Sequence, residues 1–271
     1  MAQGDERFLS GWAMVLGASS GFGAATALEL ARAGMDVFGV HLDRKATVPA
    51  AEKVQEEIQA LGRQAVFFNV NAADEEKQRE VLGHVESRLK EAGQLGQLRV
   101  LMHSLAFGTL KPFVADEPSE RITQAQLEMT MDVMASSLVY WVQELVGRRL
   151  MGAGSHVFAM TSAGGHRIWP SYGAVSAAKS ALESHCRQLA VELAPRKIAV
   201  NAIQAGVTDT PALRKIPGND RMIERCLAVH PASRLTTPAD VAAVMAALAR
   251  PETVWMTGNV LRVDGAEDVV G

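Results

Sequence analysis

The stretch "WAMVLGASSGFGAATALELARAG", residues 12–34, changes hydrophobic period part-way along. Residues 12–17 form an unbroken apolar run of strand length, and from Gly23 the apolar positions recur at helical spacing until Gly34 stops them. Between the two, "GASSGFG" sets Gly17, Gly21 and Gly23 where a strand hands over to a helix. Glycines there permit a tight turn and let backbone N–H groups and a helix N-terminus approach a pyrophosphate. Gly17, Ser19, Ser20, Gly21, Phe22 and Gly23 are therefore candidate dinucleotide contacts. The spacing is GxxxGxG rather than GxGxxG, and the same residues also read as G-x-S-x-G around Ser19, the nucleophile turn of an α/β hydrolase. That turn needs an oxyanion loop from earlier strands, and only a polar dozen residues precede this one.

The alternation continues along the chain. "DVFGVH", "QAVFFNV", "LRVLMH", "SHVFAMT", "KIAVNAI" and "NVLRVDG" read as further strands, separated by segments of helical period. The helices include a charged one over residues 74–90, the longest over 124–150, one that carries "SYGAVSAAK" and ends near Pro195, and "PADVAAVMAALAR" with proline in its first turn. This order predicts an α/β fold: a single doubly wound Rossmann-like domain over residues 1–271, with a seven-stranded parallel sheet and helices on both faces. Residues 206–238 have few strand signals and scattered apolar side chains, the make-up of a substrate lid.

Lys plus Arg number 27 against 30 Asp plus Glu, a net charge of −3 with the basic residues scattered, so nucleic acid is not an expected partner. Apolar runs are short and interrupted, and "MAQGDERFLSGW" is acidic where a signal peptide is basic; the expectation is a cytoplasmic protein with no membrane contact. Cys186 and Cys226 form no CxxC and read as two free buried thiols. The 12 methionines read as core filler. His84-x-Glu86 lacks the later cysteine pair of a zinc deaminase and HExxH is absent, so no metal is predicted.

"SYGAVSAAK", residues 171–179, holds Tyr172 and, seven positions later, Lys179. A nearby ammonium favours phenolate and so tunes a phenol as a proton donor. On a helix, residues four apart differ by about 40° and 6 Å in height, and residues seven apart by about 20° and 10.5 Å. Both spacings share a face; the wider one moves the donor about 4.5 Å along it. With the lysine at a nicotinamide ribose, a ketone needs hydride acceptor and oxyanion at the two ends of one bond. A conjugated enoyl thioester takes hydride at the β-carbon while charge appears on the carbonyl oxygen several bonds away, and the displaced donor suits that geometry.

Together, "GASSGFG", "SYGAVSAAK" and "KIAVNAIQAGVTDT" resemble the short-chain dehydrogenase/reductase family over nearly the whole chain. That family usually spaces tyrosine and lysine four apart, whereas Tyr172 plus four is Ser176. Tyrosine-x6-lysine is similar to the branch containing bacterial enoyl-acyl carrier protein reductases. So are "HSLAFG" at 103–108, Asp132 in "MDVMASS" in place of a catalytic asparagine, and "GGHRIWPSY" before the tyrosine. Two positions depart: Ser162 stands where enoyl reductases often have a second tyrosine and where carbonyl reducers keep a serine, and Val207 replaces the usual proline after "NAIQAG".

The resemblance implies that Tyr172 donates to the thioester enolate oxygen, Lys179 holds the ribose hydroxyls, and Ser162 assists the oxyanion or caps a strand end. It places Asn69 and Val70 at the adenine, Ser104, Leu105 and Ala106 at the cofactor ribose, and Thr208 and Thr210 at the carboxamide and pyrophosphate. The end of the second strand chooses the cofactor. His41 stands there instead of an acid, with Arg44 and Lys45 to receive a 2′-phosphate and Asp43 arguing the other way, so NADPH is expected and NADH is the alternative. The implied substrate is an enoyl thioester on acyl carrier protein or coenzyme A, and the family's habit implies a homotetramer or homodimer. Carbonyl reduction of the 3-oxoacyl thioester type stays open, as does nucleotide binding without turnover.

Overall fold

The change of period at residues 12–34 is β1 (Trp12–Leu16) running into α1 (Gly21–Arg32). The computed structural model describes residues 8–270; residues 1–7, where the acidic start read against a signal peptide begins, lie outside the described residues. Within them the sheet holds seven parallel strands in the order β3-β2-β1-β4-β5-β6-β7. The remaining strands are β2 (Asp36–His41), β3 (Ala65–Asn69), β4 (Leu98–His103), β5 (Met151–Ser162), β6 (Ile198–Ala205) and β7 (Val260–Val263). β1 and β6 are buried along their whole length. A parallel strand covered on both faces has no solvent side, which is why β1 reads as an unbroken apolar run and β6 as one interrupted by Asn201 and Gln204.

The helices are α2 (Val48–Ala60), α3 (Glu75–Glu91), α4 (Gln124–Met131), α5 (Ser137–Gly147), α6 (Gly173–Leu193), α7 (Asn219–Val229), α8 (Pro238–Leu248) and the C-terminal turn α9 (Glu267–Val270). Local chemistry starts several of them. Asp74 accepts from the Lys77 N–H to open α3, and Thr237 with Asp240 forms a capping box around Pro238 to open α8. One core lies between the sheet and α3, α5 and α6, built on Leu82, Trp141 and Leu182; the other lies beneath α1, α2 and α8, built on Leu30, Ile58 and Met245. Helices thus cover both faces, as the alternating pattern predicts.

Two expectations change. The helix expected over 124–150 is broken by a π-helical turn at Asp132–Ser136. Hydroxyls on either side compete for its carbonyls: Thr130 Oγ1 donates to Gln126 O at 2.7 Å and Ser137 Oγ to Val133 O at 2.9 Å. The second change is at Tyr172, which is the N-cap of α6 rather than a helical residue.

β1 pairs with β2 on one side and β4 on the other, so the crossovers leave in opposite directions and a crevice opens at the carboxyl ends of β1 and β4. Gly17, at φ +92°, forms its floor; a Cβ there would overlap the Ser104 carbonyl oxygen, and one on Gly23 would overlap that of Gly17. Both obstacles are backbone. Gly23→Ala is therefore expected to cost roughly 1–3 kcal/mol in urea unfolding. Gly83→Ala in α3, where nothing lies within 4 Å of the added carbon, is expected to shift the midpoint the other way by up to about 1 kcal/mol.

Candidate active site

The crevice has a nucleotide end and a reaction end. At the first, Ser20 is the extended N-cap of α1 and makes no side-chain capping bond, so it does not occupy the first-turn N–H groups. Thr210 lies beside Gly21, 3.6 Å from where a Cβ would sit, which brings the loop after β6 against the glycine turn. The Thr210 hydroxyl accepts from the Leu213 N–H, and Thr208 donates to Gly206 O. This glycine-lined cradle, closed by hydroxyls and a helix N-terminus, fits a dinucleotide pyrophosphate.

At the end of β2 the side chain of His41 is buried, and its Nδ1 lies 2.8 Å from Asp43 Oδ2. Burial pushes the Asp43 carboxyl up, but the Thr47 and Ser19 hydroxyls and His41 outweigh it and hold the pKa below the ordinary value. Asn69 clamps this turn, accepting from Asp43 N at 2.9 Å and donating to Asp43 O at 3.0 Å, and Val70 N–H donates to His41 O. The carboxylate thus stands beside Ser19 of the glycine turn, while Arg44 and Lys45 are exposed. Phe22 is partly buried against the core beneath α1.

At the reaction end, Lys179 is 5% exposed, and its ammonium donates to Met160 O at 2.7 Å and weakly to Leu105 O at 3.5 Å. Burial pulls its pKa down to about 8. The Tyr172 ring packs on Gly164, where a Cβ would overlap ring Cε1 and stand 3.2 Å from Ser162 Oγ. Burial raises the phenol pKa, offset in part by the Ser162 hydroxyl, so Tyr172 is protonated and able to donate at neutral pH. Ser162 Oγ is buried, close enough to the phenol to lower its pKa but without a well-formed hydrogen bond in the protein, so it is free to meet a ligand oxygen. Ser104 donates its N–H to Leu16 O, closing the seam between β1 and β4, and Ala106 is exposed just beyond. His103 is fully buried beside Lys179; burial first and the ammonium second lower its pKa to about 3, so it is neutral.

A buried ammonium, a protonated phenol and an unpartnered hydroxyl, one crevice away from a phosphate cradle, make a site for reduction by a bound dinucleotide. The family model described as "Enoyl-(Acyl carrier protein) reductase" matches residues 17–266. The chain belongs to this family of short-chain dehydrogenase/reductases. Among similar proteins, the enoyl-[acyl-carrier-protein] reductase [NADH] FabI of Nostoc sp. is 30% identical, covering 81% of each chain. Versicolorin reductase 1 of Dothistroma septosporum is 27% identical over 93% of this chain and 94% of its own. The structure of the promiscuous reductase LugOII, which catalyses keto-reduction at C1 during lugdunomycin biosynthesis, superposes with TM-score 0.81 at 29% identity, over 97% of this chain and 99% of that one.

As in other α/β folds with open sheets, the walls of the dehydrogenase/reductase crevice are loops beyond the strand ends. Residues 206–238 form a wall that contains α7, and Trp169 Nε1 donates to Pro217 O at 3.0 Å, tying the loop before Tyr172 to it. Val207, whose place in the family belongs to proline, donates its N–H to Glu267 Oε2 at 2.8 Å, a bond proline cannot make. Sequence reasoning also missed Gly164, Thr161 and Glu183. Only the spacing of Gly164 and Tyr172 in "GGHRIWPSY" hinted at the first, and no local signal pairs Thr161 with Glu183. Cys186 and Cys226 are free and buried, as read from their spacing.

Because the folded-state pKa of Lys179, about 8, lies below the ordinary lysine value of 10.5, the unfolded chain binds the extra proton between those values. The cost of burying the charge is thus fully present below pH 8, on the order of 3 kcal/mol, and fades as pH rises toward 10.5. Lys179→Met is expected to unfold at higher urea than the wild type at pH 7, with the gain narrowing by pH 10. A gain independent of pH would refute a charged Lys179.

Proposed function

We propose that the chain reduces the carbon–carbon double bond of an enoyl thioester with a nicotinamide cofactor. The observation that carries this reading is on α6. The residue one turn before Lys179 is Val175, an aliphatic buried at 4% exposure, whose Cγ2 would lie 2.9 Å from a Cβ on Gly108. The phenol that a carbonyl reducer would hold at that level comes instead from the N-cap, three residues earlier. A bound reduced nicotinamide supplies a hydride, here to the thioester β-carbon. Tyr172 would donate its hydrogen bond to the carbonyl oxygen as enolate charge develops, Ser162 would offer a second donor and Lys179 would fix the ribose; a proton taken up at the α-carbon then completes the reduction of the double bond. The acyl group would lie among the exposed apolar side chains near Tyr172, of which Phe113 packs over Gly173.

A specific observation also favours ketone reduction. Ser162 lies next to the phenol, and a serine–tyrosine pair on one oxygen suits a carbonyl whose carbon takes the hydride. LugOII, described as catalysing keto-reduction, points the same way. Cofactor oxidation with crotonyl against acetoacetyl thioester separates the two: the enoyl substrate is expected to give the larger kcat/KM, and a wide margin for the keto substrate would overturn the reading. Tyr172→Phe is expected to lower kcat by roughly a hundredfold while nucleotide binding is retained.

For the cofactor, the strand end favours NADH. Asp43 sets an ionised carboxylate beside Ser19, where a ribose 2′-hydroxyl can donate to it and a 2′-phosphate meets like charge. Arg44 and Lys45, expected from the sequence to hold that phosphate, are the opposing attraction. Asp43→Ser is expected to raise the NADPH to NADH ratio of kcat/KM by about tenfold or more. An unchanged ratio would remove Asp43 from the selection.

A further inference from the structure

Three consecutive residues at the end of β5 each face a residue at the start of α6. Met160 O accepts from Lys179 Nζ at 2.7 Å, Thr161 Oγ1 donates to Glu183 Oε1 at 2.7 Å, and Ser162 lies with Tyr172 against Gly164. The first and third of these contacts belong to the reaction described above. The second has no part in it, yet it plants a carboxylate one helical turn beyond a buried ammonium, on the same face of α6. Glu183 Oε1 would also lie 3.3 Å from a Cβ on Gly165, and Lys179 Cβ 3.7 Å from the same point, so both side chains crowd the glycine pair that leads to the phenol.

We propose that Glu183 is a positioning residue for the reduction: tethered by Thr161, its carboxylate keeps the Lys179 ammonium charged and holds the end of β5 in register with α6. The proposal rests on Lys179 and Tyr172 serving the reaction, whichever thioester is reduced. The groups around Lys179 leave the task to Glu183. On β4, His103 is neutral above a pKa of about 3. On α6, burial pushes the Cys186 thiol up to about 12, so it is uncharged where Lys179 titrates. Asp132, on the π-helical turn packed against α6, responds to burial alone, and Tyr172 is protonated. Two charge influences raise Lys179, Cys186 first and Glu183 second; a thiol that titrates near 12 is uncharged where Lys179 titrates, which leaves the Glu183 carboxylate to oppose the burial.

The test reads the lysine directly. Every other lysine of the chain is at least partly exposed, so in protein labelled at lysine 13Cε the Lys179 resonance is expected to titrate near pH 8, apart from the rest. Glu183→Gln keeps an acceptor for Thr161 and removes the charge. It is expected to lower that midpoint by about one pH unit, and the basic limb of the kcat/KM profile with it. Glu183→Asp is expected to restore most of both. Thr161→Val keeps the charge but frees the tether, so a smaller downward shift with a lower kcat is expected. A Glu183→Gln titration superimposable on the wild type would overturn the proposal. If that variant does not fold, an unshifted Thr161→Val titration would overturn it. Should neither thioester be reduced by the wild type, the enoyl and keto readings fail, while the NMR midpoints still judge Glu183.

Discussion

A lysine with 5% of its surface exposed must have its ammonium solvated by the protein, and Lys179 donates to backbone carbonyls at the ends of β5 and β4. Met160 belongs to β5 and Leu105 follows β4, so the bond pair can form only where α6 lies across the ends of both. The arrangement of the rest of the site depends on that constraint. It fixes the rotation of α6 about its axis, which places Ala178 and Leu182 in the core and Tyr172 at the mouth. Burying the charge is unfavourable by itself, and the fold tolerates it because the carbonyls of a parallel sheet's carboxyl edge are partly unsatisfied and point the right way.

The phenol is governed by a different balance. Burial raises its pKa and Ser162 partly offsets that. A donor that stays protonated suits stabilisation of an enolate oxygen by hydrogen bonding better than it suits rapid full proton transfer. The N-cap position reinforces this, since a residue outside the helix can be carried by the preceding loop, and Gly164 admits its ring where any side chain would block it.

Much of the fold was legible because its signals are local. Strand runs at 36–41, 98–103 and 198–205 are largely buried, so apolar side chains dominate them around Asp36, Arg99 and Asn201, and Thr237-Pro238 announced α8 by cap chemistry. The π-helical turn at Asp132–Ser136 was not legible: one extra residue per turn shifts the apolar phase by too little to see within a long amphipathic stretch, and the deciding bonds come from hydroxyls that read equally well as surface. At the site, the glycine turn, Tyr172, Lys179 and Ser162 were visible as residue types in sequence. The role of the β2 end was not, because whether His41 or Asp43 faces the cofactor depends on how the chain turns after the strand, and that turn is held by Asn69 from the next strand over. Thr161 and Glu183, 22 residues apart, meet only once β5 and α6 are packed.

The exchange of proline for Val207 shows how one backbone N–H can register two walls of a cleft. Glu267 accepts that N–H at the start of the 206–238 wall. The next residue, Asp268, accepts from Gln204 on β6 and pairs with His166 and Arg167 in the loop that leads to Tyr172. Four positions earlier, Asp264 gives its carbonyl oxygen to His230, just past α7, and caps the turn through the N–H groups of Ala266 and Asp268. Thr208 and Thr210, which border the glycine-turn cradle, are thereby connected through a single C-terminal turn to the loop that leads to Tyr172. With proline at 207 the donor disappears and Glu267 loses its hold on the start of the loop, leaving His230 with Asp264 and Trp169 with Pro217 to join the two walls. The C-terminal turn therefore belongs to the geometry of the reduction, although none of its side chains need touch the substrate.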